Sequence, residues 1–274
     1  MIRGYAVNLV LIAAATLGSP LAYGQEAPAG GANADELAKQ LSNPVAALIS
    51  APLQLNYDDG YGVGGDGERF TLNVQPVVPI SLNDDWNVIS RTILPLISQD
   101  DVIEGESESG TGDTLQSLFF SPKAPTANGW IVGAGPAFLL PTASDDVLGS
   151  EQWAIGPTIV ALKQTDDGLT YGALWNYLIS VAGDDDRADV NSTFIQPFLA
   201  KAFPGGRTAT INLESTYDFE GKPWTVPVNL VYSKVTKFGN QMVSFAGGAR
   251  YYLESPPGGP DWGLRFVVTL LYPK

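Results

Sequence analysis

Cysteine and histidine are both missing from the 274 residues of this chain, and each absence closes off chemistry. Lack of cysteine fits export to an oxidising compartment by a protein that relies on no disulfides, although it is equally ordinary in many cytosolic chains. With neither residue type there is no cluster suited to zinc. The Ser-His and Asp-His pairs that move a proton near neutral pH are excluded as well. Acid pairs such as Asp58-Asp59 and Asp145-Asp146 have the groups for glycosidic chemistry, but adjacent acids on a loop are more simply solvated. The expectation is therefore that the chain is not an enzyme. The glycine-rich GVGGDG at Gly62–Gly67 has no following Lys-Ser and no helix pattern, so it does not read as a phosphate cradle. No cofactor, no metal and, at a formal charge of -14, no nucleic-acid partner is expected.

Beyond the N-terminus there is also no unbroken apolar run of the roughly 20 residues that a membrane helix needs. If the mature chain lies in a membrane, it must cross as strands. At the N-terminus, Arg3 precedes an apolar run from Tyr5 to Leu17, Gly18 and Pro20 follow, and Ala22-Tyr23-Gly24 offers small residues for a signal peptidase. Residues 1–24 read as a secretory signal. Residues 25–50 read as a leader and a short helix: QEAPAGGAN has little to bury and should be disordered, whereas Asp35 and Glu36 suit the first turn of a helix that places Leu37 and Leu41 on one face before Asn43-Pro44 ends it. That helix has three open roles: a plug in a barrel mouth, an element on the membrane surface, or a tether.

From residue 51 to 274 the pattern changes to alternation. In WGLRFVVTLLY, Trp262, Leu264, Phe266, Val268, Leu270 and Tyr272 share one face, while Gly263, Arg265, Val267 and Thr269 share the other. The first such segment is PLQLNY. Others lie near Arg69–Ile80, Trp86–Ile97, Asp113–Pro122, Gly129–Pro141, Glu151–Lys163, Leu169–Ala182, Asn191–Phe203, Arg207–Tyr217, Trp224–Val235, Gln241–Leu253 and Asp261–Tyr272. This predicts an all-β chain, a transmembrane antiparallel β-barrel of about twelve strands with a short helical segment before it. Short links such as LNDD, QTDDG, PGG and TKFGN alternate with mostly longer ones beginning at Asp58, Ser98, Thr142, Gly183, Asp218 and Glu254. Short links belong to the periplasm and long ones to the outside, and most of the acids fall in or beside the long set. Trp153, Trp224 and Trp262 stand at strand ends beside long links, with Trp86, Trp130, Tyr171 and Tyr272 at the opposite ends, as two interfacial girdles require. A soluble β-sandwich gives no reason for two aromatic belts.

The alternation assigns a set of lumen-lining candidates: Asn73, Arg91, Asn212, Glu214, Asn229, Arg250 and Arg265. Gln54, Asn56, Arg69, Gln75, Thr114, Gln116, Asn176 and Gln196 fall on the same inferred face. Arg250 and Arg265 on the last two strands oppose Glu214 on the ninth. Either these charges set up a field that orients a passing solute, or they pair and fill a barrel too narrow to stay open. Carboxylates of the long loops have the oxygen ligands to take calcium or to bridge through divalent ions to lipopolysaccharide phosphates; a plain solubilising rim is the simpler reading.

The ordered segments LAKQLSNPVAALISAPLQLNYDDGYG, NVQPVVPISLNDDWNVISRTILP, FFSPK, GAGPAFLLPTASDDVLGSEQWAIGP, NYLISVAG, QPF and WGLRFVVTLLYPK resemble a family of Gram-negative outer-membrane proteins. Its members carry the label of the meta-pathway of phenol degradation, or simply of transporters. The resemblance covers most of the mature chain and implies an outer-membrane barrel passing small, partly apolar molecules; it transfers no substrate and no binding residue. Pro273 and Lys274 follow Tyr272, where such barrels usually end on the aromatic. The expectation is an outer-membrane channel or transporter for passive passage of small solutes, with membrane lipid and lipopolysaccharide as partners. The competing reading is a closed structural or surface-interaction barrel.

Overall fold

The computed structural model describes residues 33–273; the predicted signal and most of the predicted leader lie outside the described residues. The first element is helix α1 (Ala34–Leu41). Asn33 caps it, its side-chain oxygen accepting from the Glu36 N–H at 2.8 Å, and Asp35 and Glu36 place acids at the positive end of the helix dipole. Asn43 then turns the chain, its side chain accepting from the Val45 N–H at 3.0 Å, and Pro44 forbids continuation of the helix.

Twelve antiparallel strands follow and close into a barrel. They are β1 (Ile49–Tyr61), β2 (Gly67–Val74, resuming at Val77–Ser81), β3 (Trp86–Asp100), β4 (Ser107–Thr111 and Thr114–Pro122), β5 (Trp130–Leu140) and β6 (Gln152–Gln164). The second half comprises β7 (Leu169–Gly183), β8 (Asn191–Phe203), β9 (Arg207–Leu213 and Ser215–Asp218), β10 (Trp224–Thr225 and Pro227–Phe238), β11 (Gln241–Tyr252) and β12 (Trp262–Tyr272). Each strand pairs with its sequence neighbours, and β12 returns to β1 in a register running from Ile49 opposite Tyr272 to Asp59 opposite Trp262. One continuous sheet closed on itself replaces the two facing layers of a sandwich.

The register transmits the alternation from strand to strand. Leu55 lies opposite Phe266 on one side and Leu72 on the other, giving an outward apolar row, while Asn56 lies opposite Arg265 and Thr71, giving an inward polar one. Phe266, at 54 % exposed, and Leu230, at 58 %, stand on the outside. Trp153, Trp224 and Trp262 are exposed beside the long loops, and Trp86, Trp130 and Tyr272 at the short-turn end, which is the two-girdle arrangement of a membrane barrel. Among the described residues no helix is long and apolar enough to cross a membrane.

Two expectations need correction. Asp58 and Asp59 belong to strand, not to a flexible loop, because β1 runs on to Tyr61; the Gln54, Asn56 alternation carries Asp58 inward, where it is 4 % exposed. Gln116 does not face the lumen. It pairs with Thr92 and Phe138, on the face that also exposes Phe120 and that carries Thr114, likewise expected inside, opposite Leu140; Leu115, Ser117 and Phe119 take the inner positions. Its amide is satisfied on the outer face, accepting from Thr92 Oγ1 at 2.6 Å and donating to Ser90 Oγ at 3.1 Å.

Phe266 lies near the middle of β12 on the lipid row, whereas Tyr272 ends that strand at the interface. Phe266→Arg should destabilise the barrel by about 2–4 kcal/mol and Tyr272→Arg by no more than about 1 kcal/mol, because the cost of a cation depends on membrane depth. Folding titrations into lipid vesicles measure both. Equal costs at the two positions would remove Phe266 from the hydrocarbon layer.

Candidate functional site

The inner wall of β1 and β9 to β12 carries a connected band of charge. Asn212, Asn229 and Arg250 lie side by side across β9, β10 and β11, and Arg265 lies across β12 opposite Asn56. Arg265 donates two parallel bonds to Glu214, both 2.8 Å, and a third from Nε to Asn56 Oδ1 at 2.8 Å. Arg250 Nη1 donates to Asp58 Oδ2 at 3.1 Å, and its Nη2 lies 3.9 Å from Glu214 Oε2. Tyr252 donates its hydroxyl to the other oxygen of Asp58 at 2.9 Å, and Asn229 Nδ2 donates to Asn212 Oδ1 at 2.9 Å. Gly263 makes the Arg250–Asp58 contact possible, since a Cβ there would run into the Asp58 carboxylate and the Tyr57 carbonyl.

Five of the seven sequence-derived candidates therefore meet in one network: Glu214, Arg250, Arg265 and the Asn212–Asn229 pair. Asn73 sits apart on the inner face opposite Gln54. Arg91 lies away from the network on β3, bonded to Gln75 Oε1 at 3.2 Å. Arg69, at the long-loop end, donates to Gln99 at 2.9 Å and stacks 4.8 Å from the Tyr61 ring centroid. Asp58 and Tyr252 are the members that sequence reasoning missed. Extending the β1 alternation by two residues would have found Asp58; nothing in the local sequence marks Tyr252, whose partner is 194 residues away.

Toward the short turns the interior becomes apolar and is occupied. Leu37 and Ala38 of α1 bury themselves against Leu48, Val235 and Leu271. Asp35 accepts from the Gly206 N–H in the turn after β8, and Gln164 donates to the Lys39 carbonyl at 2.8 Å. Val45 then enters a cluster with Ile89, Phe119, Val160, Leu162 and Leu174 from the inner faces of β3, β4, β6 and β7. The segment after α1 thus runs inside the barrel mouth, not along its outer surface. Between this segment and the wall remains a cavity of about 270 Å³, bordered by Arg91, Gln196, Phe198 and Asn212.

No family model matches the chain, and no curated protein matches it. Solved structures do. An outer-membrane channel from Pseudomonas putida F1 superposes with a TM-score of 0.63 at 14% identity, over 82% of this chain and 96% of that one. The KdgM porin, solved in complex with disordered oligogalacturonate, aligns with a TM-score of 0.46 at 9% identity over 82% and 99%. The outer-membrane phospholipase A of Escherichia coli aligns with a TM-score of 0.48 at 11% identity over 82% and 90%. The fold is that of a bacterial outer-membrane β-barrel. The expectation that the chain is not an enzyme is corrected to this extent: an outer-membrane phospholipase is among the aligned barrels, and the absence of histidine excludes only routes that need an imidazole.

Within the charged band, Arg265 is 4 % exposed and takes most of its compensation from Glu214. Removing one partner of such a pair strands the other charge. Glu214→Gln should destabilise the barrel by about 3–5 kcal/mol, whereas Glu151→Gln, which loses a half-exposed surface pair with Arg187, should change stability by less than about 1 kcal/mol. Urea unfolding in lipid vesicles, extended to a Glu214/Arg265 double-mutant cycle, measures the coupling. Additive single effects would show that the two groups do not compensate each other.

Proposed function

We propose that this protein is an outer-membrane channel for passive passage of small, partly apolar solutes, gated by its own N-terminal segment. The observation that carries the reading is the layered interior. A band of fixed charge crosses the half nearer the long loops, an apolar lining covers the wall of the other half, and a short peptide segment packs against that lining inside the closed sheet. Residues 33–48 are joined to the wall by side-chain packing and a few hydrogen bonds, not by a strand ladder. Such a segment is displaced at lower cost than any part of the closed sheet. The charged band orients a solute as it passes, and the apolar lining tolerates a hydrocarbon body.

The resemblance to the transporter-like family labelled for phenol degradation agrees with this reading, as does the overlap with the Pseudomonas channel at the level of fold. Residues 1–24 act as the export signal in this scheme, the short turns face the periplasm, and the acidic long loops face outward toward lipopolysaccharide. The paired charges and filled mouth also favour a second reading, a closed structural barrel whose loops bind cations or a partner.

Two measurements separate these readings. In planar bilayers the full mature chain should give a small steady conductance, and a variant lacking residues 25–48 should give a markedly larger one; silence from both, with heat-modifiable gel mobility proving that they are folded, favours the closed barrel. Single cysteines at Glu106, Asp145 and Asp185 should react with an impermeant maleimide on intact cells. Cysteines at Asp84, Asp166 and Gly205 should react only after the outer membrane is opened, and the reverse pattern would invert the orientation.

A further inference from the structure

Arg91 differs from the inward-facing arginines of the charged band. Arg250 and Arg265 each hold a carboxylate, Asp58 and Glu214 respectively. Arg91 has no carboxylate within 4.0 Å among the described residues, and its side chain makes one hydrogen bond there, to Gln75. A guanidinium carries five N–H donors. Those that Gln75 leaves free are absent from the buried polar atoms without a partner, and Arg91 borders the internal cavity, so they open onto that space and not onto packed protein. Enclosed charge is tolerated when it is paired or wet. Here no carboxylate lies within 4.0 Å, and the room for one is present.

The rest of the cavity narrows what that partner is. The amides of Gln75, Gln196 and Asn212 also line it, with Phe198 directly beside Asn212 on the wall, and the N-terminal segment adds Leu41 and Ala46 together with the polar Ser42 and Asn43. The space therefore combines one cation, neutral hydrogen-bonding groups and a patch of hydrocarbon. At about 270 Å³ the space lies just under the range of ordinary ligand sites. A single arginine matches a single negative charge, and its planar fork matches the two oxygens of a carboxylate. We infer that this cavity is a binding site for a small monocarboxylate with an apolar body, with Arg91 holding the carboxylate and Phe198 and the N-terminal segment covering the hydrocarbon. The inference names the solute class of the passage proposed above and rests on that reading.

Equilibrium binding tests it without requiring conduction, so failure of the site and failure of the channel are separable. The full mature chain in lipid nanodiscs is titrated calorimetrically with sodium hexanoate, with 1-hexanol as the uncharged analogue and sodium chloride as the anion without a body. Saturable one-site binding of hexanoate is expected, with hexanol weaker by about tenfold or more, and chloride unable to compete at equal concentration. Arg91→Gln should weaken hexanoate by about tenfold or more while Arg91→Lys retains part of the affinity. Ala46→Trp, which fills the cavity from the N-terminal segment without touching the charge, should abolish binding. Absence of hexanoate binding, equal affinity for hexanol, displacement by chloride, or Arg91→Gln binding as tightly as the parent would each overturn the inference. If Arg91→Gln does not fold, the hexanoate-to-hexanol comparison on the parent decides the question.

Discussion

A strand placed in hydrocarbon has no water to satisfy its backbone N–H and C=O groups, so every one of them must find a partner within the protein. The pairing of Ile49–Asp59 with Trp262–Tyr272 meets that demand at the seam. Without it β1 and β12 would present two open edges to lipid. Closure in turn divides the side chains into an inner and an outer set with no third option, and the remaining features follow from that division. Where an inner position is charged it must be answered inside the ring, as Arg265 is by Glu214 and Asn56. Where an outer position is polar it must be answered by a neighbour on the same face, as Gln116 is by Thr92 and Ser90.

Closure also explains why the N-terminal segment lies where it does. Ile89, Phe119, Val160 and Leu162 point inward near the short turns, and an empty lumen there would leave them facing water. Val45 and the Leu37–Ala38 face of α1 remove that surface from solvent. At roughly 25 cal/mol per Å² of apolar area, a few side chains of this size contribute enough to hold the segment in place, but far less than the ladder of backbone bonds that holds a strand. A docked segment with few hydrogen bonds to the wall is suited to movement, in a fold whose other parts are not.

Most of the wall was legible from sequence because alternation is a local property. The span Asn191–Phe203 is the same in expectation and in structure, β7 and β12 differ by one residue at one end, and β5 by one residue at each end. The errors arose where polarity ceases to mark the inside. In TLQSLFF both rows mix polar and apolar residues, and because the interior at that level is an apolar cluster, Phe119 belongs inside and Gln116 outside, contrary to the simple rule. Asp58 was misjudged because Asp-Asp-Gly reads as a turn; here Gly60, with φ of 95°, comes near the end of a strand that the turn chemistry seemed to close early. Which of its three possible places the helix takes could not be read. Its fixing contacts join Asp35 to Gly206 and Lys39 to Gln164, and no local pattern encodes partners more than a hundred residues away.

The charged band and the apolar mouth impose opposite requirements on anything that moves through the barrel. Arg250, Arg265, Asp58 and Glu214 pair with one another, although Arg250 Nε is left without a partner, so they present a structured dipolar surface more than a net field. A strongly hydrated ion gains little from groups already paired and loses its water in the apolar half. A wholly apolar molecule gains from the lining but must pass the band with nothing to offer its hydrogen-bonding groups. For the passage proposed above, the interior would discriminate by combination, favouring molecules that carry both characters, and Arg91 borders the cavity beside the N-terminal segment. In the proposed gating, a solute bound there would touch both the wall and that segment, which would couple recognition to opening through direct contact with no relay through the closed sheet.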